Sequence, residues 1–84
     1  MQGTARIVNY AGLVRGKTQQ IIKLENAQRP QDEMIREVDA YIDGLRHGSD
    51  KLNLVRLDDK AFQDKMEVQE QFFEQLKEEI YKAR

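Results

Sequence analysis

Between residues 62 and 83 the chain repeats one step pattern without a break. Phe62, Met66, Gln69, Phe73, Leu76, Ile80 and Ala83 follow each other at alternating four- and three-residue intervals. That spacing is an a/d seam held for three heptads, and Gln69 is its only polar member. A strand cannot use such a stripe, because its side chains alternate every second residue. The opposite face, Lys65, Glu67, Glu70, Glu74, Lys77, Glu78 and Lys82, is charged and expected to be solvated. The spacing therefore predicts a long amphipathic helix over about 58–83, opened by Asp58 or Asp59 as N-cap.

Two more helices are predicted upstream. The first covers about 4–27, with Ile7, Val8, Ala11, Val14, Ile21 and Ile22 at three- and four-residue steps and Thr18 filling the gap in the stripe. Pro30 disfavours helical geometry at Arg29 and suits the opening of the next helix, where Asp32 and Glu33 face the positive end of the dipole. That second helix, about 31–47, places Met34, Ile35, Val38, Tyr41, Ile42 and Leu45 on one face. His47 in the last turn complements the dipole, and Gly48 supplies a left-handed C-cap. Residues 48–57 carry Leu52, Leu54, Val55 and Leu57, too many for a free linker, so they are expected to pack across the helix ends.

Charged residues make up 35% of the 84, in near balance (14 basic, 15 acidic), and hydrophobic residues 39%. The charges are interspersed, which speaks against a nucleic-acid surface. No cysteine is present, so disulfides, thiolate metal sites and a cysteine nucleophile are excluded. A single histidine leaves no metal pair at ligand spacing. With no Ser/His/Asp set and no phosphate loop, no enzyme, cofactor or metal is expected. A chain this short buries only about 60–65% of its unfolded surface, which makes one thin-cored domain over residues 1–84. The expected fold is all-α, an up-down antiparallel bundle of three helices. Its seam is still apolar at Arg84, so a fourth helix is missing or another chain completes the core.

The first helix contains residues that stability alone would not select. Gly12 and Gly16 each cost about 1 kcal/mol relative to alanine in a helix interior. At 100° per residue, Val8, Ala11, Gln19 and Ile22 fall within about 40° of Arg15, while Thr18 and Gly12 lie about 60° away on opposite sides. Arg15 is thus expected on the shoulder of the apolar stripe. Positions 11, 12, 18 and 19 are Ala, Gly, Thr and Gln, so no acid three or four residues away neutralises it. A guanidinium keeps its charge and offers five donors in a rigid plane, which suits a planar anion. The candidate ligand-binding set is Arg15, Gly12, Ala11, Thr18 and Gln19. The plainer alternative pairs Arg15 with a glutamate of another helix and uses Gly12 and Gly16 for close helix packing. Asn9, about 120° round from Arg15, would play only a supporting or capping role. Lys17, about 160° round, is expected to face water.

The stretch N-Y-A-G-L-V-R, Asn9 to Arg15, resembles the start of the periplasmic sensor domain of nitrate/nitrite sensor histidine kinases, grouped with the N-terminal domain of the type IV pilus chemoreceptor. That family's first helix carries an N-x-A-G-x-x-R core, matched by Asn9, Ala11, Gly12 and Arg15. Nearly the whole chain, through A-R-I-V-N-Y-A-G-L-V-R-G-K-T-Q, K-L-E, D-G-L-R-x-G and L-D-D-K-A-F-Q, is similar to extracellular sensor modules of clostridial-type histidine kinases and cyclic-dinucleotide signalling proteins. The resemblance implies a four-helix bundle, here without its last helix, that dimerises on the extracytoplasmic side of a membrane-anchored signalling protein, with ligand held by Arg15 between paired first helices. Nitrate sensors have a second basic residue where this chain has Gln20, so a small anion or polar ligand is implied rather than nitrate itself. The alternative is a ligand-free helical dimerisation or adaptor module.

Overall fold

The computed structural model of the chain describes residues 2–84, with side chains from Thr4 onward. It is all-helical: α1 spans Gln2–Asn26, α2 Asp32–His47 and α3 Lys60–Ala83. No strand occurs among the described residues, and no described helix is long and apolar enough to cross a membrane.

One face of each helix builds a shared core. α1 contributes Ile7, Val14 and Ile21, each seven residues from the next, with Thr18 among them. α2 adds Ile35, Val38, Ile42 and Leu45, and α3 adds Met66, Phe73 and Ile80. Phe73 is fully buried and has the largest side chain in this core. Contacting pairs along α1 and α2 run in reverse order. Tyr10 meets Tyr41 edge-on at 4.9 Å, Lys17 pairs with Glu37 at 3.3 Å, and Glu25 Oε2 accepts from the Gln31 amide at 2.9 Å. The same holds for α2 and α3, where Arg46 reaches Gln63, Lys77 holds Asp39, and Arg84 holds Asp32. α1 packs mainly on α2 and α2 on α3, whereas α1 and α3 touch least.

The boundaries differ from expectation where local chemistry intervenes. α1 ends at Asn26, one residue early, because Gln28 turns left-handed at φ 63° and the Arg29 amide bonds back to the Leu24 carbonyl at 2.9 Å. α2 begins at Asp32 with Gln31 as its N-cap, whose side chain donates back to the Arg29 carbonyl at 3.3 Å and caps no helix amide, and Pro30 precedes the helix instead of opening it. Gly48 has φ 84° and ψ 158°, positive as expected but outside the left-handed helical well. Only glycine adopts that region readily. Of the two aspartates, Asp59 is the cap of α3, accepting from the Phe62 amide at 2.9 Å, and Asp58 pairs with Arg56.

The connection folds back on α2. Ser49 and Leu54 exchange backbone bonds of 2.9 and 2.8 Å around a tight turn, with Asn53 at φ 56°. Leu54 is buried against Gly44, where an added Cβ would lie 3.0 Å from Leu54 Cδ1 and 3.2 Å from Leu52 Cδ1. Leu52 and Leu57 are half-buried, but Val55 is 80% exposed, so only part of the apolar connection joins the core. Gln63, one position off the predicted seam, is buried and donates to the carbonyls of Leu45 (3.2 Å) and Leu57 (2.9 Å). Arg56 Nε donates to the Arg46 carbonyl at 2.8 Å. Two of the carbonyls orphaned at the end of α2 are satisfied in this way.

Two residues assigned to solvent are held inside contacts. Lys17 pairs with Glu37, and Lys77 lies between Asp39 and Glu74, 2.9 Å from each, with its ammonium 5.6 Å from the Phe73 ring centroid. The cause is the same for both. A long lysine stem lies along apolar surface and delivers its charge to an acid on the neighbouring helix.

Candidate functional site

The central turns of α1 were the candidate site, and the structure divides them into two sides. Val14, Thr18 and Ile21 point into the core. The Thr18 hydroxyl donates to the Val14 carbonyl at 2.6 Å, one turn back along its own helix. This is the usual satisfaction of a hydroxyl buried in a helix. It turns the hydroxyl away from solvent and leaves Thr18 behind the exposed set. Arg15, Gly12 and Gln19 are exposed, and Ala11 is half-buried beside them. Arg15 stands further out than the shoulder position expected of it. No carboxylate lies within ion-pair distance of Arg15 among the described residues. At Gly12 and Gly16 an added Cβ would meet nothing within 4 Å, so no helix of this chain packs against either.

The exposed side of α1 continues into a groove that sequence reasoning did not place. Val8, Arg15 and Ile22 are spaced by seven and so form one stripe along the helix. Ile22 lines an open groove of about 960 Å³ between the C-terminal halves of α1 and α3. Phe72, Leu76, Ile80 and Ala83 line its other wall, with Pro30 and Gln28 at its end. The signal for it was present in α3. Val68 and Phe72 are apolar residues off the predicted seam, and they are 66% and 50% exposed.

An ion-pair cluster closes the end of the groove. Arg84 Nη2 lies 2.6 Å from Glu25 Oε2, and Nη1 lies 2.7 Å from Asp32 Oδ1. The hydrogen bond from Arg84 holds the Glu25 carboxyl below its ordinary value, against the opposing effect of burial, and the Gln31 amide adds to the lowering. Elsewhere, burial opposes the charge of Lys77, but the hydrogen bonds it donates to Glu74 and Asp39 outweigh it and raise its pKa. Burial and the adjacent Glu37 raise that of the Tyr41 hydroxyl. The Glu25 and Lys77 shifts involve pairs that join helices, Tyr41 and Glu37 lie one turn apart on α2, and none of these groups adjoins a nucleophile or faces the groove as a free acid or base. His47 is exposed in the last turn of α2, and no group of three or more His, Cys, Asp or Glu that could hold a metal occurs among the described residues.

What α1 presents outward is therefore an unpaired guanidinium beside a bare glycine backbone and an amide. That set can bind an anion or a carboxylate and has no means of transferring a proton. No protein-family profile, curated protein or solved structure matches the chain.

Proposed function

We propose that the chain is the extracytoplasmic ligand-sensing domain of a membrane-anchored signal transduction protein, a sensor histidine kinase in the first instance. In this reading its three helices form an up-down antiparallel bundle of the four-helix type, completed by dimerisation. A small anionic or polar ligand is held by Arg15, with Gly12, Ala11 and Gln19 around it and Thr18 fixing the helix from behind. Ligand binding would favour one offset of the paired first helices over another, and it biases the output only through a difference in affinity between the two states.

The observation that carries this reading is the unpaired guanidinium at Arg15. α1 has Arg6, Arg15, Lys17 and Lys23 against Glu25 alone, and Glu25 is already taken by Arg84. An intrachain carboxylate thus does not compete for Arg15. The resemblance of Asn9, Ala11, Gly12 and Arg15 to the sensor core N-x-A-G-x-x-R supports the same assignment.

A melting screen against nitrate, nitrite, sulfate and small carboxylates tests it. An anion at 100 times its dissociation constant stabilises the fold by about 2.7 kcal/mol. In a domain of this size that raises Tm by about 10–20 °C. Arg15→Ala is expected to abolish the rise. If no anion moves Tm, or the rise survives Arg15→Ala, the ligand reading is wrong. The ligand-free dimerisation or adaptor module then stands in its place, favoured by the exposed apolar residues Val8, Val68 and Phe72.

A further inference from the structure

We propose that the groove between the C-terminal halves of α1 and α3 is a second binding site, and that it takes a small organic cation with an apolar body, an alkylammonium in chemical class. Arg15 does not line this groove, so the site does not rest on the anion reading above.

The walls set the apolar part of the ligand. Ile22 stands on one side, Phe72, Leu76 and Ile80 on the other, and Pro30 at the end. The volume of about 960 Å³ falls within the range of a site for one small molecule, about 300–1,000 Å³. The Phe72 ring is 50% exposed in that wall and can gain cover only from an occupant, because no helix of this chain lies over it.

The charges set the other part. Three charged residues line the groove, Glu25, Glu79 and Arg84. Arg84 is fully engaged within the chain, with Nη2 on Glu25 and Nη1 on Asp32. Glu79 has no ion-pair partner among the described residues. Three carboxylates thus stand against one guanidinium at this end. Both donors to Glu25, Arg84 Nη2 and the Gln31 amide, meet Oε2, and Oε1 accepts from no donor among the described residues. Lys23 and Lys82, the neighbouring bases in sequence, do not line the groove. The charge that an occupant meets is therefore negative. An anionic amphiphile would face Glu79 without gaining Arg84, and a wholly apolar occupant would take water from Glu79 and return nothing. A cation on an apolar body suits both. Phe72 and Glu79 lie seven residues apart on one stripe of α3, about 10 Å along the helix, and that separation sets the ligand's length. Its apolar end covers Phe72 and its ammonium reaches Glu79.

Calorimetric titration of the whole chain with decyltrimethylammonium below its micelle concentration tests the site. Decanoate serves as the anion of the same chain length, and helical circular dichroism as the fold control. Saturable one-to-one binding of the cation is expected, at least about 5-fold tighter than that of decanoate. Glu79→Gln is expected to weaken the cation about 2- to 5-fold, the size of an exposed ion pair, and Glu79→Lys to turn the preference toward decanoate. Phe72→Ala is expected to weaken both amphiphiles about 5- to 10-fold, through lost apolar contact. Glu78→Gln removes the same charge from α3 outside the groove and is expected to leave binding unchanged. Absent or unsaturable binding overturns the inference, as does binding that unfolds the helices. Equal losses in Glu79→Gln and Glu78→Gln overturn it too, since they mean general attraction to an acidic helix, and so does indifference to Phe72→Ala. Cation binding in a chain whose Tm no anion moves fails the anion reading alone. Anion stabilisation through Arg15 without cation binding fails this site alone.

Discussion

Two parts of this molecule treat their polar and apolar groups in opposite ways. Where α2 hands over to α3, almost every group has a partner. Gln63 and Arg56 cap the last carbonyls of α2, the Ser49–Leu54 turn pairs its own backbone, and Leu54 fits against the bare backbone of Gly44. Among the described side chains, one polar atom there is buried without a hydrogen bond, Nε of Arg46, 3.8 Å from Glu70. Along the outward side of α1 and α3 the reverse holds: two glycines face open space, an arginine lacks an acid, and valines and a phenylalanine stand in solvent. Apart from Val55, which stands exposed on the connection, the first region is finished within one chain, and the second has the composition of a surface awaiting something else. Substitutions in the two regions should therefore differ in kind as well as in size.

The largest effect is expected in the shared core. Phe73→Ala removes the biggest fully buried side chain and should lower unfolding free energy by about 3–5 kcal/mol in a urea titration. At the closed end, Gly48→Ala forces a side chain onto φ 84° and ψ 158° and should cost about 1–3 kcal/mol by the same measurement. A cost near zero there would mean that the cap is looser than its geometry. On the open side the sign reverses. Gly12→Ala meets no atom within 4 Å and raises helix propensity, so it should stabilise the chain by about 0.5–1 kcal/mol, while weakening whatever binds beside Arg15. A loss of stability would mean that Gly12 is already packed, and the contrast between the two regions would fail.

The smallest effect is one of pH. The folded pKa of Glu25 is lowered, chiefly by the hydrogen bond from Arg84. A depressed carboxyl contributes stability that is fully present above its unfolded value, about 4.3, and is lost as pH falls through the folded value. Tm should therefore drop on acidification below about pH 4.5, and Glu25→Gln should flatten part of that drop. Equal acid profiles for the two proteins would show that the Glu25–Arg84–Asp32 cluster holds nothing together.

All three helices could be read from the spacing of apolar residues, because burial of one face repeats every three or four positions whatever the neighbour is. Met66, Phe73 and Ile80 are buried as their seam predicts, and Ile35, Val38, Ile42 and Leu45 likewise. Gln63 could not be read in this way. An amide is buried only when carbonyls stand ready for it, and those of Leu45 and Leu57 are brought to it by the fold of the connection. Lys17 and Lys77 were hidden for a similar reason, since the acids that hold them, Glu37 and Asp39, lie on another helix. At the candidate site, the grouping of Arg15, Gly12, Ala11 and Gln19 on one side of α1 follows from helical angle alone. The loss of the Thr18 hydroxyl to the Val14 carbonyl, and the continuation of the Arg15 stripe into the groove at Ile22, do not.

The sequence by itself determined the helices, their apolar faces and the absence of a neutralising acid near Arg15 on its own helix, because each depends on residues within two turns of one another. The tertiary structure alone decided which polar groups the core accepts and which apolar groups it leaves out. Those outcomes depend on how helices distant in sequence meet. α2 lies between α1 and α3, and the face that α1 and α3 could have closed against each other stays open.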